Sequence, residues 1–302
     1  AEDDKAKDCY EKVIIIEPNY TIAHNNLGNI FKKLGEHKKA ISCFEKAIEI
    51  NPDFTEANYN LGVIFHELGK YEKAKNCYEK TIKIDPKNTR GLNNLGHVYH
   101  ELNEDYKSRD YFKKAIEINP DFTGAHWNSQ GCATGIDEAL IIFKKINKID
   151  NTYINAKIMI GALQGYKGNF DEFNSILASP HSQNPYARSV KWVFSLPKLP
   201  KLFFNRIDFF DAVIELTEKR RPFYEFGVWN GISFKHLIKT FKKGYGFDTF
   251  TGIPEAWHNE PKGNYSSFGA IPKIEGGKFI VGKFEDTLED FFSEKRPIAS
   301  LI

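Results

Sequence analysis

The sequence predicts a multidomain chain: an all-α solenoid of helical hairpins wound as a right-handed superhelix, then part of a parallel α/β domain. Three observations predict it. Residues recur at steps of 34 through the first half. That recurrence fades in a proline-spaced stretch over residues 179–204. Beyond it, short apolar runs alternate with glycine-bearing turns and amphipathic segments, the pattern of strands joined by crossover helices. A length of 302 residues suits about two domains. We divide the chain into a solenoid over residues 1–186, a connector over 187–203 and an α/β domain over 204–302.

The repeat is read from five series in one register: Leu27-Gly28, Leu61-Gly62 and Leu95-Gly96; Phe31, Phe65 and Tyr99; Ala40, Ala74 and Ser108; Phe44, Tyr78 and Phe112; Pro52, Pro86 and Pro120. Each unit has a first helix with apolar residues at helical spacing, then a turn such as Leu34-Gly35-Glu36. Second helices follow over residues 39–50, 73–84 and 108–118. Proline then stops each one, because the residue before it avoids the helical region. Glycine in the first helix lets the partner approach. One hairpin cannot bury its apolar face alone, so hairpins stack. The pattern resembles the tetratricopeptide repeat. Ala6, Tyr10 and Pro18 fit the second half of a preceding repeat, and the single methionine is Met159, so the chain reads as a piece of a longer protein. Trp127, Ala139, Phe143 and Asn151 mark a shortened fourth repeat. Ile160-Gly161, Phe173, Leu177 and Pro185 mark a degenerate fifth, as capping repeats often are.

At 100° per residue, His24, Leu27, Gly28 and Phe31 share the core side of the first helix and Asn26 points away. Asn60, Asn94 and Asn128 follow at the same step, which predicts a ladder of exposed asparagines. A carboxamide both donates to and accepts from peptide backbone without reading side chains. In tetratricopeptide superhelices such as that of O-GlcNAc transferase, a similar ladder lines the groove, and the resemblance implies a protein or peptide partner; a plain scaffold is the alternative. His66, His97 and His100 lack metalloprotease spacing. His97 and His100 are three apart, within reach of one ion, but we read them as groove-lining or solvated and expect no metal site. Cys9, Cys43, Cys77 and Cys132 form no C-x-x-C pair and read as small apolar residues of a reducing compartment, the cytoplasm.

Pro180, Pro185, Pro197 and Pro200 fall in the stretch over residues 179–204, where residues 195–201 read as an extended, semi-rigid segment and a short helix is expected over residues 186–194. Next come a helix through Phe209, Val213 and Leu216 and a strand over residues 223–226. A turn, a helix over 234–241 and a strand over 245–248 follow. A long loop leads to a strand over 278–281, a helix over 285–292 and a fourth strand starting at Pro297. This is a doubly wound order.

The first turn, Glu225-x-Gly227-x-x-x-Gly231-x-Ser233, carries candidate chemistry. Trp229 stands where a dinucleotide fingerprint needs its second glycine, which argues against a nicotinamide enzyme. The pattern resembles motif I of class I S-adenosylmethionine-dependent methyltransferases, which have a Rossmann-like domain, and Asp248 resembles the acid ending their second strand. Gly246 through Glu255 and Val281 through Leu288 look like the macrocin O-methyltransferase-like family. That resemblance implies S-adenosylmethionine as cofactor. It implies Glu225 and Gly227 by its methionine part with Gly231 and Ser233 near, Asp248 on the ribose, Thr249 and Phe250 beside the adenine, and Glu285 and Asp286 at the adenine edge. The family continues past the fourth strand, so about half a catalytic domain is present and activity is expected of the longer parent rather than of this piece. His258 is a weak candidate base, and Trp257, Tyr265 and Phe268 are candidate lid residues.

Composition narrows the classes. Charged residues are 27% and apolar residues 41%, a globular balance, and a net charge of +2 gives no general pull toward nucleic acid or an anionic membrane. The opening residues Ala1-Glu2-Asp3-Asp4 read as having neither the charged nor the apolar region of a signal peptide, and the apolar run over residues 13–16 is far short of a span. Two readings follow. In one, the solenoid recruits a protein or peptide and the α/β half methylates an oxygen or nitrogen, a sugar or other small-molecule hydroxyl being the implied acceptor. In the other, the chain is a non-catalytic scaffold binding extended peptides through the asparagines.

Overall fold

The computed structural model describes residues 2–102, 104–228, 231–252, 266, 267, 269–294 and 296. Trp229, Trp257, His258, Tyr265, Phe268 and the expected fourth strand lie outside the described residues. The chain divides into two compact units, one of residues 1–66 and 71–205, the other of residues 67–70 and 206–302.

Helical hairpins make up the first unit. Helix α1 (Glu2–Ile16) precedes three regular pairs: α2 (Thr21–Lys33) with α3 (His37–Ile50), α4 (Thr55–Glu67) with α5 (Tyr71–Ile84), and α6 (Thr89–Glu101) with α7 (Asp105–Ile118). The second helices begin two or three residues earlier than the sequence pattern predicts. The turn explains why: Glu36 N–H reaches back to Phe31 C=O at 2.8 Å and Glu104 N–H to Tyr99 C=O at 2.8 Å, so the chain closes one helix and re-enters the next at once. Phe44, Tyr78 and Phe112 are the repeated core rings, all essentially fully buried. A Cβ on Gly28, Gly62 or Gly96 would stand 2.7–2.8 Å from the respective ring, so these glycines are required by close helix approach.

The pattern then breaks. Helix α8 (Thr123–Ser129) stops after 7 residues, and a 3-10 turn (Gln130–Cys132) carries the chain into α9 (Ile136–Ile149). Trp127, Leu140, Phe143, Ile146, Ile160 and Leu163 share a core between α9 and α10 (Ile154–Tyr166). After α11 (Asp171–Leu177), helix α12 (Pro185–Phe194) occupies the start of the expected connector. It is capped by Asn184 Oδ1, which accepts from Tyr186 N–H at 2.9 Å. Its Ala187 is fully buried, and Phe194 packs on Tyr166, Phe170 and Phe173. Leu202 and Phe204 also pack on the core shared by α9 and α10.

The second unit opens with α13 (Arg206–Ile214) and continues as β1 (Phe223–Phe226), α14 (Ile232–Phe241), β2 (Gly244–Asp248), β3 (Gly277–Val281) and α15 (Phe284–Ser293). The described strands are parallel in the order β1-β2-β3, with Glu225 opposite Gly246 and Asp248 opposite Val281. Alternation along β1 sends Phe223 to one face, with Phe234, Leu237 and Phe241 of α14, and Tyr224 to the other, with Phe291 of α15. Among the described residues, no helix is long and apolar enough to cross a membrane.

Candidate functional site

The asparagine row is half-buried, which corrects the expectation of an exposed ladder. Asn26 donates to Tyr10 Oη at 3.2 Å, and Asn60 donates to Asn25 Oδ1 at 3.1 Å. Asn94 donates to the hydroxyls of Tyr59 and Tyr78 at 3.1 and 3.3 Å, and Asn128 to Asn93 Oδ1 at 3.0 Å. Asn25 and Asn93, one residue earlier, are themselves buried and donate to Asn26 and Asn94. The amides therefore stitch each hairpin to its predecessor. Among the described residues, Asn60 and Asn128 keep Oδ1 without a protein partner. A second recurring device went unread in the sequence. His24 Nε2, Asn58 Nδ2 and His126 Nε2, in one register, bond the carbonyls of Pro18, Pro52 and Pro120 at 2.8, 3.2 and 2.9 Å.

The other histidines are not simply solvated. His66 and His97 meet edge to face with centroids 4.8 Å apart. Burial first, and the His97 charge second, push His66 down to about 4, so it stays neutral at ordinary pH. Burial also lowers His97, against the opposing pull of Glu101. His100 behaves oppositely. Its Nδ1 lies 2.9 Å from Asp105 Oδ1, and hydrogen bonding to Asp105 and then Cys132 pushes it up to about 10. Cys43 and Cys77 are half-buried and burial raises both thiols to about 11, whereas Cys9 is exposed.

In the α/β unit the candidate residues gather where β1 and β2 end. Gly227 leaves β1 at φ +84 with its N–H on Phe247 C=O at 2.8 Å, and a Cβ there would meet open space. Gly231 caps α14 in the left-handed region, where an added Cβ would stand 3.1 Å from Ile274 and Pro272. This places Ser233 in the first helical turn, where its Oγ donates to Glu225 Oε1. Glu225 Oε2 is buried and has no hydrogen-bond partner among the described residues. Burial pushes the Glu225 carboxyl up to about 7, with the Asp248 charge adding and the Ser233 hydrogen bond and Arg206 opposing. Asp248 Oδ1 accepts from Phe250 N–H at 2.8 Å, and Thr249 Oγ1 donates to Gly252 C=O at 2.8 Å. Phe250 departs from the role expected beside an adenine. Its ring is fully buried against Phe279, because φ +58 turns the residue back under the sheet. Glu285 and Asp286 are exposed in the first turn of α15, Glu285 paired with Lys283 at 3.1 Å.

Tetratricopeptide-repeat models match residues 21–54, 89–122 and 43–76, and a TPR repeat model matches residues 63–103. The chain carries tetratricopeptide repeats. No curated protein matches it. Among solved structures, PilW, a widely conserved type IV pilus biogenesis factor, is similar at 18% identity and TM-score 0.55, over 63% of this chain and 90% of that one. Pseudomonas aeruginosa PilF aligns at 16% identity and TM-score 0.53, over 64% and 99%. YrrB, described as a TPR protein with an unusual peptide-binding site, aligns at 23% identity and TM-score 0.50, over 61% and 97%. These similarities establish the helical fold.

Proposed function

We propose that the repeat half is a protein-interaction scaffold that takes up an extended segment of a partner along the asparagine row. The observation that carries this reading is the division of labour within each carboxamide. Asn60 and Asn128 spend an amide hydrogen on the neighbouring hairpin, which fixes their orientation, and keep Oδ1 as an acceptor for backbone N–H. The peptide-binding site described for YrrB supports peptide as the ligand class. The test is an array of unstructured peptides probed with the full chain and with the Asn60→Ala/Asn128→Ala variant. Two lost hydrogen bonds are worth about 1–3 kcal/mol, so binding is expected to weaken by about fivefold to about 150-fold at retained helix content. Absence of peptide binding, or equal binding by the variant, overturns the proposal.

One observation favours a second reading for the α/β unit: Oε2 of Glu225 is buried with no partner among the described residues, beside a left-handed glycine. A buried carboxyl raised to about 7 suits a cationic partner that draws it into its ionised form. The donor set fits S-adenosylmethionine. Glu225 would receive the ammonium, Gly227 would leave room for the chain, Gly231 and Ser233 would hold the turn, Asp248 would accept the ribose hydroxyls, and Thr249, Glu285 and Asp286 would flank the base. That cofactor supplies an electrophilic methyl group for an oxygen or nitrogen acceptor, here a sugar or other small-molecule hydroxyl. The residues of this chain bind and orient. Calorimetric titration of S-adenosylhomocysteine into this chain and a C-terminally extended one, with Asp248→Ala as control, tests it. Heat that Asp248→Ala removes supports methyl transfer, and no heat from folded protein leaves the scaffold reading alone.

A further inference from the structure

The break in the repeat brings together three side chains that sequence spacing did not connect. His100 lies in the last turn of α6, Asp105 opens α7 and Cys132 ends the 3-10 turn before α9. One imidazole nitrogen, one carboxylate oxygen and the thiol sulfur all lie within 4.8 Å of one another. Cys132 occupies the position that Ile30, Ile64 and Val98 fill in the regular repeats, and Asp105 stands where His37 and Tyr71 do. The donors therefore converge only where the hairpin pattern is interrupted.

Each donor is held by a neighbour. Asp105 Oδ1 faces His100 Nδ1 at 2.9 Å, while Asp105 Oδ2 accepts from Asn205. Cys132 Sγ lies 3.5 Å from Ser108 Oγ. The carbonyl of Cys132 accepts from Arg109, whose guanidinium also pairs with Glu138 at 3.0 Å. Glu138 in turn accepts from both the N–H and the hydroxyl of Thr134 at 2.8 Å, which fixes the turn. Cys132 is 7% exposed, whereas the His100 and Asp105 side chains are 27% and 38% exposed, so an ion has a route from solvent to a buried sulfur.

We propose that His100, Asp105 and Cys132 form a three-ligand site for a borderline-soft divalent transition metal, zinc foremost. Mixed nitrogen, sulfur and oxygen donors suit zinc, and a tetrahedral ion sets its ligand atoms roughly 3–4 Å apart, within small side-chain movements of the present arrangement. Three protein donors leave a fourth position for water or a partner's side chain. The thiol and the imidazole yield their protons as the ion enters. Asn205, Ser108 and Arg109 act as the outer groups that orient ligands.

The experiment is a titration of the chelator-treated full chain with Co²⁺, read by thiolate-to-cobalt charge-transfer absorption. One equivalent is expected to bind, and Zn²⁺ is expected to displace it and to raise the melting temperature. Asp105→Asn, at a partly exposed position, is expected to weaken Co²⁺ binding by at least about tenfold. Cys132→Ala is expected to abolish the band, whereas Cys9→Ser, Cys43→Ser and Cys77→Ser leave it intact. Absence of the band, its survival in Cys132→Ala, or an unchanged affinity in Asp105→Asn overturns the proposal.

Discussion

Replacing Glu225 by glutamine is expected to stabilise the α/β unit, and only above the acid range. In the folded chain burial pushes this carboxyl from 4.5 up to about 7. A raised folded value means that the favourable contribution is complete below about 4.5 and is lost as pH climbs through about 7. At 1.36 kcal/mol per unit, the shift sets a ceiling of about 3 kcal/mol on what ionised Glu225 costs the fold at pH near 8. Glutamine keeps the shape and an acceptor for the Ser233 hydroxyl but carries no charge. Glu225→Gln should therefore gain up to about 3 kcal/mol near pH 8 and nothing near pH 4. Hydrogen exchange in the peptides covering residues 223–248 of the full chain reads this locally. Titration of the glutamate carboxyl carbon gives its folded value directly. A difference between variant and parent that is flat in pH, or a carboxyl titrating near 4.5, refutes the reasoning.

The His66 imidazole, lowered to about 4, predicts the opposite slope for the repeats: stability is complete above about 6.5 and falls by up to about 3 kcal/mol as pH drops toward 4. A nuclear magnetic resonance titration placing His66 above 6 contradicts it. Phe112→Ala, emptying a fully buried ring site, should cost about 3–5 kcal/mol in urea unfolding. Gly96→Ala places a methyl 2.8 Å from the same ring, and Phe112→Leu should relieve part of its cost, so additive losses in that double-mutant cycle reject the close-approach argument. Asn88 Oδ1 accepts from Gly91 N–H at 2.9 Å at the start of α6, so Asn88→Ala should cost about 1 kcal/mol, and Asn88→Asp much less.

The repeated core was legible because a constant step places Phe44, Tyr78 and Phe112 in one environment, and burial of large apolar side chains dominates that environment. The asparagines were legible as a row but not as half-buried groups. A helical projection sees only the hairpin to which a helix belongs. In a stack, the first helix also packs against the preceding hairpin, so Asn26 meets Tyr10 and Asn60 meets Asn25. In the α/β unit, strands and crossover helices followed from short apolar runs between glycine turns. Phe250 was not legible, because a residue just past a strand has no period to report its face, and a positive φ turned it inward.

Two places depart from local rules that most of the described residues obey. A carboxyl oxygen with no partner among the described residues is buried at the end of β1, and a thiol fills an aliphatic core position where α8 breaks off. The first costs free energy once ionised, and the second stands where Ile30, Ile64 and Val98 stand in the regular repeats. Such local departures are expected at functional or strained positions. On the cofactor reading, the partner at Glu225 would be a cation, which would turn the cost of ionisation into an attraction. On the metal proposal, the partner at Cys132 would be an ion that binds thiolate, imidazole and carboxylate together. The two sites then differ in a measurable way. A ligand at Glu225 should flatten the pH dependence of the α/β unit, whereas a metal at Cys132 should raise the stability of the repeats and leave that pH dependence unchanged.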